Sequence, residues 1–300
     1  MEPLTPEKVS EEAWWTGGSC VAVVSMSQYR YMKPRFLFGR LPLLLLPLLI
    51  PSYAPAEDEA WKEEWISLFN GRDLSGWTPK FSGYPCGENP LETFRVEDGI
   101  LQVSYEDYDL FDGRFGHLYS NIAYSHYLFR MEYRFVGEMM ADAPHYVNLN
   151  SGFMIHSQSP QSMGLDQDFP VSLEFQFLAD EGKGPRPTGN LCTPGTNVEM
   201  DGELITQHIV KSSGPTFAKD DWIRVEIEVR GNEEVIHRVN GEEVLRYQGP
   251  QLDPEGRVES AEELINAGAP RRLSFGYIAL QAEGQPVWFR GMKLKPLNPR

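Results

Sequence analysis

The chain has 300 residues, 41% of them apolar and 12% aromatic, enough to bury a sizeable core in one large domain or two small ones. Its formal net charge is −16. That balance argues against nucleic acid or an anionic membrane surface as the main partner and suits a neutral or cationic ligand.

The first stretch reads as an export signal. Met32-Lys33-Pro34-Arg35 is a short basic region, Leu41 to Ile50 (LPLLLLPLLI) is apolar, and Ala54-Pro55-Ala56 is an A-x-A cleavage signal. The apolar run is too short to span a bilayer and contains Pro42 and Pro47. No Cys follows it to carry a lipid, so no membrane anchor is expected after cleavage. The expected location is periplasmic or extracellular, with residues 1–56 an upstream extension and signal peptide and 57–300 a single domain. Residues 1–31 precede the usual place of a signal: either the chain starts at Met32, or the basic region is unusually long. Cleavage removes Cys20 and leaves Cys86 and Cys192. Two cysteines in Gly/Pro-rich loops of an exported chain suggest a disulfide; two unrelated free thiols are the alternative.

After an acidic tether from Glu57 to Glu64, Trp65 to Phe69 reads as a strand ending at the turn signal Asn70-Gly71, within WISLFNGRDLSGW. Pro79 to Pro90 reads as a loop carrying Cys86. Phe94 to Val103 is a hairpin turning on Asp98-Gly99. His117 to Ser120 and Tyr127 to Val136 follow as strands, the second with Tyr127, Phe129, Met131, Tyr133 and Phe135 on its core side. Asn150 to His156 (NSGFMIH) puts Phe153 and Ile155 on one face, Met154 and His156 on the other.

Phe169 to Leu178 (FPVSLEFQFL) alternates most cleanly. Val171, Leu173, Phe175 and Phe177 form an apolar side, while Ser172, Glu174 and Gln176 lie opposite. A carboxylate and an amide therefore stand about 7 Å apart on the polar side of one strand. The Gly- and Pro-rich stretch from Ala179 to Asp221 reads as a long irregular excursion over that polar side, and such loops are commonly functional. Trp222 to Arg230 is a further alternating strand, and Glu234 to Tyr247 a hairpin closed at Asn240-Gly241. Leu252 to Pro270 is an acidic loop with room for a short helix. Leu273 to Gln281 and Val287 to Leu294 are the last strands, joined by a turn at Glu283-Gly284. Many short strands separated by turn signals predict an all-β fold, a two-sheet sandwich or jelly roll.

Five strings occur in one order: SLFNGRDLSGW, NSGFMIH, SLEFQF, VIHRVNGEEV and IALQAEGQPVWFRGMKL. Together they resemble the 3-keto-disaccharide hydrolase domain family over roughly Trp65 to Leu297, with LFNGRDLSGW the most specific. The resemblance implies a concanavalin A-like jelly roll of two antiparallel sheets. It also implies a carbohydrate substrate, a glycoside oxidised to a ketone at C3, cleaved by hydrolysis or elimination. A C3 ketone acidifies the C2 proton, so the chemistry requires a base, a stabiliser for the enolate oxygen and an acid. Glu174 is the candidate base or a metal ligand, and His156 the candidate acid or a ligand. Gln176, Gln281 and Arg290 are candidates to grip sugar hydroxyls and the ketone. A divalent metal ion is a possible Lewis acid, but no HxH or HExxH motif fixes its ligands.

Two departures bear on activity. Many relatives read LQDHG where this chain has Leu280-Gln281-Ala282-Glu283-Gly284, and FRNI where it has Phe289-Arg290-Gly291-Met292. With the Asp and His replaced by Ala282 and Glu283, His208 in the excursion is a candidate substitute. Asn70, Gly71, Asp73, Gly76 and Trp77 read as turn and packing residues. A non-catalytic lectin-like module and a purely structural surface domain are the competing readings, since a sandwich does not fix a function. Convergence of Glu174, His156 and Gln281 on one pocket would separate them.

Overall fold

The computed structural model describes residues 64–256 and 258–299. The export signal, its cleavage point, Cys20 and most of the acidic tether lie outside the described residues. The strands run in chain order β1 (Ile66–Ser67), β2 (Trp77–Phe81), β3 (Phe94–Glu97), β4 (Ile100–Val103), β5 (Gly116–Ser120), β6 (His126–Phe135), β7 (Asn150–Ser157) and β8 (Leu173–Leu178). They continue with β9 (Asn190–Cys192), β10 (Thr196–Met200), β11 (Glu203–Ile205), β12 (Ile209–Val210), β13 (Ile223–Arg230), β14 (Glu234–Val239) and β15 (Glu242–Leu252). A short helix α1 (Glu262–Asn266) precedes β16 (Tyr277–Ala282) and β17 (Val287–Pro296).

These strands form two antiparallel sheets, the all-β jelly-roll sandwich expected. The ten-stranded sheet runs β11-β10-β15-β14-β13-β6-β17-β4-β3, with β1 added on β17. The seven-stranded sheet runs β12-β9-β8-β7-β16-β5-β2. Both predicted hairpins form on their expected dipeptides. Asp98 and Gly99, and Asn240 and Gly241, all have positive φ, as a two-residue type I′ turn requires. In the NGRDLSGW string, the Asn70 side chain accepts from the Arg72 and Asp73 amides, and Trp77 Nε1 donates to the Leu68 carbonyl. Those residues brace a turn.

The core lies where the apolar sides of β6 and β13 meet those of β7 and β8. Tyr133 stacks on Phe177 with ring centroids 3.9 Å apart, Phe153 on Phe175 at 5.0 Å, and Phe129 meets Phe153 edge-on. The one polar atom of this stack, the Tyr133 hydroxyl, is bonded to Thr188 Oγ1 at 2.8 Å. Burial of such rings is worth about 2–3 kcal/mol each.

Three expectations differ from the structure. Pro79 lies in a strand, β2, rather than a loop. It is tolerated because β2 is the edge of its sheet, paired only with β5, so the missing N–H interrupts no second ladder. The excursion is built rather than irregular: it supplies β9 and β12 to one sheet and β10 and β11 to the other. It covers the polar side of β8, so Leu173 to Phe177 is buried on both faces. Third, Glu283 is not in an exposed turn. β16 ends at Ala282, and Glu283 and Gln285 are almost completely buried.

Candidate functional site

A pocket of about 500 Å³ opens on the face of the seven-stranded sheet opposite the core. Its floor follows from strand register. Glu174 on β8 stands opposite Met154 on β7 and Cys192 on β9, and Gln176 opposite Gly152 and Asn190. The β7–β16 pairing, Ala279 with Met154 and Leu280 with Phe153, brings Gln281 alongside Gly152. Gly152 is required here. A Cβ on it would lie 2.5 Å from Glu174 Oε1 and 2.8 Å from Glu174 Cγ, so the Glu174 carboxyl occupies the room the missing side chain leaves.

Amides tie the floor together. Asn190 Nδ2 donates to Gln176 Oε1 at 3.0 Å, Gln176 Nε2 to Asn150 Oδ1 at 3.2 Å, and Asn150 Nδ2 to the Tyr146 carbonyl at 3.1 Å. The Asn190 side-chain Oδ1 accepts from the Ser212 backbone amide. Three neighbouring strands, β7, β8 and β9, are thus cross-linked by their amides, which hold the excursion on one side and the loop before β7 on the other. Arg186 lines the wall but is committed: it pairs with Glu181 at 3.0 Å and donates to the Ala179 and Asn148 carbonyls.

Two carboxyl groups share this pocket. Glu174 is 7% exposed and Glu283 2%, and among the described residues no cation pairs with either. Burial pushes the Glu174 carboxyl up to about 8, with a hydrogen bond from the Cys192 thiol drawing it part of the way back. Burial, and then the charge of Glu174, pushes Glu283 well above the ordinary carboxylate range. The Cys192 thiol is pushed well up by burial and by both carboxylates. The His208 imidazole is pushed down by burial. Among the described residues, Gln281 Oε1, Glu283 Oε1 and His208 Nδ1 are buried with no hydrogen-bond partner. Unpaired polar atoms cost about 1–3 kcal/mol each when buried, and here they surround one cavity. This set offers a proton acceptor, a proton donor and amides for hydroxyl groups.

Four of the six predicted binding and catalytic residues line the pocket: Glu174, Gln176, His208 and Gln281. The other two do not. His156 has a positive φ of 47°, next to a break in the β7–β16 register. This bulge turns the side chain away from the polar face, and Nε2 donates to the Gly231 carbonyl at 2.9 Å instead. Arg290 lies on β17, in the opposite sheet. Its Nε donates to Glu132 at 2.6 Å and its guanidinium stacks on Trp222 at 3.9 Å. The expected disulfide is also absent: both cysteines are free, Cys86 exposed and Cys192 buried in the pocket floor.

Sequence reasoning missed Glu283, Asn150 and Asn190. The signal for Glu283 was simple alternation, since Ala279, Gln281 and Glu283 fall on one side of β16 extended by one residue. The turn signal Glu283-Gly284 obscured it. No group of three His, Cys, Asp or Glu side chains among the described residues is arranged to hold a metal ion. The donors present therefore do not fit the divalent ion considered from sequence, and no step below runs through one.

No curated protein matches the chain. Solved structures resemble it at low identity. A proposed glycosyl hydrolase of Parabacteroides distasonis is 19% identical, covering 79% of this chain and 95% of its own with a TM-score of 0.46. A Bacillus subtilis protein with a galectin-like fold is 11% identical over 79% of this chain and 100% of its own, TM-score 0.46. A Bacillus licheniformis beta-glucanase is 10% identical over 78% and 98%, TM-score 0.42. The family model described as the 3-keto-alpha-glucoside-1,2-lyase-like domain matches residues 64–295, nearly all of the described chain, and the protein belongs to that family.

Proposed function

We propose that this protein cleaves glycosides carrying a ketone at C3, with Glu174 removing the C2 proton. Family membership makes it a carbohydrate-active domain. The finer reading is carried by one observation: a buried carboxyl at the floor of a pocket where the amides of Asn150, Gln176, Asn190 and Gln281 also stand. A base that takes a proton from carbon needs an elevated pKa, and the burial that lifts Glu174 to about 8 meets that need.

In this reading the Glu174 carboxylate accepts the C2 proton, and the C–H electron pair passes into the C2–C3 bond and onto the ketone oxygen. The Gln281 and Gln176 amides offer N–H groups to that oxygen or to the neighbouring hydroxyls. The electron pair then returns, the C3 carbonyl re-forms, a C1–C2 double bond forms and the C1–O bond breaks. The departing oxygen takes one proton. The products are the free aglycone alcohol and an unsaturated 3-keto sugar, and addition of water across C1–C2 completes a net hydrolysis.

The test is turnover of a 3-keto-glucoside, with the unoxidised glucoside as control. Wild type should cleave only the ketone, with the unsaturated sugar detectable early. Glu174→Gln preserves size and should lower turnover by about 10²–10⁴. Wild-type turnover by a folded Glu174→Gln protein would remove Glu174 from the reaction. Sugar binding without cleavage by wild type would favour a lectin-like module. Export of the chain, to the periplasm or the exterior, is proposed with this function; N-terminal sequencing of protein recovered outside the cytoplasm should find Glu57 first.

A further inference from the structure

We infer that Glu283 is the acid that protonates the departing C1 oxygen, working in the same pocket as Glu174 and exchanging a single proton with it over the cycle. This rests on the reading of Glu174 as the C2 base.

Glu283 is held where such a group must be. It continues the alternation of β16 past Gln281, so its side chain enters from the same side of the sheet as Gln281 and Glu174. The segment that carries it is fixed from three directions. The Gly284 amide donates to the Tyr105 hydroxyl at 2.7 Å, and its carbonyl accepts from the Met140 amide at 2.9 Å. The Gln285 side chain accepts from the Leu149 amide and donates to the Val136 carbonyl. Gly284 has a φ of 98°, and a Cβ there would come within 2.9 Å of Ala143, so this connection admits little else. These bonds hold the backbone and leave the carboxyl free, with Oε1 buried and unpaired. The charge of Glu283 is felt by Cys192 in the floor and by Tyr146, which is 55% exposed at the rim. Glu283 therefore lines the same pocket as the base, with the half-exposed Tyr146 in its lining as well.

The other titratable groups around the pocket are poorer donors. Burial keeps the His208 ring neutral, with a single proton that it does not readily give up. Arg186 does not release protons and is bound to Glu181 and backbone carbonyls. The Cys192 thiol is pushed well up by burial and already donates to Glu174. Tyr146 is pushed up by burial, and Lys211 is exposed. Glu283, with no paired cation among the described residues and a second carboxyl lining the same pocket, is pushed well above the ordinary carboxylate range, which favours its protonated form. The proton balance closes. Glu174 gains the C2 proton, Glu283 loses one to the C1 oxygen, and transfer from Glu174 back to Glu283 restores the starting pair with no net change. A pair that shares one proton is the state two adjacent carboxyls prefer.

Glu283→Gln separates this role from that of Glu174. The substrates are two 3-keto-glucosides, one with a nitrophenol aglycone that departs without protonation and one with an alkyl alcohol that does not. The second readout is exchange of the C2 proton in deuterium oxide. Glu283→Gln should lose about 10²–10⁴ in turnover of the alkyl compound, keep most of its turnover of the nitrophenyl compound, and still exchange C2 deuterium. Glu174→Gln should lose both turnovers and the exchange. Equal losses on the two substrates, or none on the alkyl one, would overturn the assignment of Glu283 while leaving that of Glu174 standing. Absence of exchange and cleavage in wild type would overturn both.

Discussion

Glu228 and Glu174 are both glutamates in the middle of β-strands, both largely shielded from water, on opposite sheets of one sandwich. Glu228, on β13, sits between Arg230 at 2.9 Å and Arg238 at 3.0 Å. Burial pushes its carboxyl up, but those guanidinium partners outweigh burial and hold it below the usual range. Glu174, on β8, is more deeply buried, has a thiol and amides around it, and is raised to about 8. Depth of burial and the partner both set these groups apart: guanidiniums lower Glu228, and deep burial beside a thiol raises Glu174. The outer face of the ten-stranded sheet neutralises its carboxylates with arginines, as Arg290 does for Glu132 and Arg246 for Glu234. The covered face of the seven-stranded sheet leaves its carboxyls unneutralised, and a folded protein tolerates that cost mainly where the charge has a use.

The contrast can be tested first through pH. Glu174 has a folded value near 8 against an ordinary value of 4.5, so the folded state binds the proton more tightly. Its unfavourable contribution is absent below about 4.5, grows as pH rises towards 8, and is complete above that. Glu174→Gln should therefore match wild type in stability at pH 4 and exceed it by up to about 5 kcal/mol at pH 9, read by denaturant titration at both values. A constant difference between the two proteins across that range would show that the carboxyl is not desolvated. Gly152→Ala comes next. Its Cβ would collide with Glu174 Oε1 and with the Phe175 carbonyl oxygen at 2.9 Å. A destabilisation of about 1–3 kcal/mol is expected, together with a fall in turnover of about 10²-fold from the displaced carboxyl. Unchanged turnover would mean that the position of this group is not critical.

Smaller effects belong to the paired face. Arg238→Ala removes one guanidinium partner of Glu228 and should cost about 1 kcal/mol, with turnover unaltered. Arg290→Ala, far from the pocket on the outer sheet face, should change thermal stability by less than about 1 kcal/mol and substrate affinity not at all. Loss of affinity in that variant would restore the sugar-binding role its sequence position suggested. Thiol labelling should find Cys86 quickly and Cys192 only on unfolding, with neither engaged in a bridge.

Much of this was legible in the residues. Period-two alternation located the longer strands of both sheets but not β2 or β9 to β12, and the dipeptides Asp98-Gly99 and Asn240-Gly241 marked hairpins because only left-handed backbone closes a two-residue turn. Glu174 and Gln176 were recognisable as a polar pair on an otherwise apolar strand. What escaped depended on long-range geometry. His156 was placed on the pocket face by counting, and a bulge invisible to counting rotated it away. Arg290 alternates correctly along β17, but alternation does not tell one sheet from the other. The disulfide followed from compartment and composition, which set no distance between Cys86 and Cys192. Glu283 was hidden by the Gly after it, which marks a chain reversal whether the reversal is exposed or buried.

The excursion from Ala179 to Asp221 has a consequence for how the molecule comes together. It gives two strands to the edge of one sheet and two to the edge of the other. Its strands close over very different spans: β9 pairs with the nearby β8, while β10 needs β15, more than forty residues downstream. Such non-local pairings close slowly, because each waits on a large loss of chain entropy. Recovery of activity during refolding should therefore trail recovery of strand signal, and the pocket should open before the sandwich does when the protein is gently denatured. Because the excursion ties both sheets together, the proposed site around Glu174 and Glu283 should be complete only once both sheets are in place.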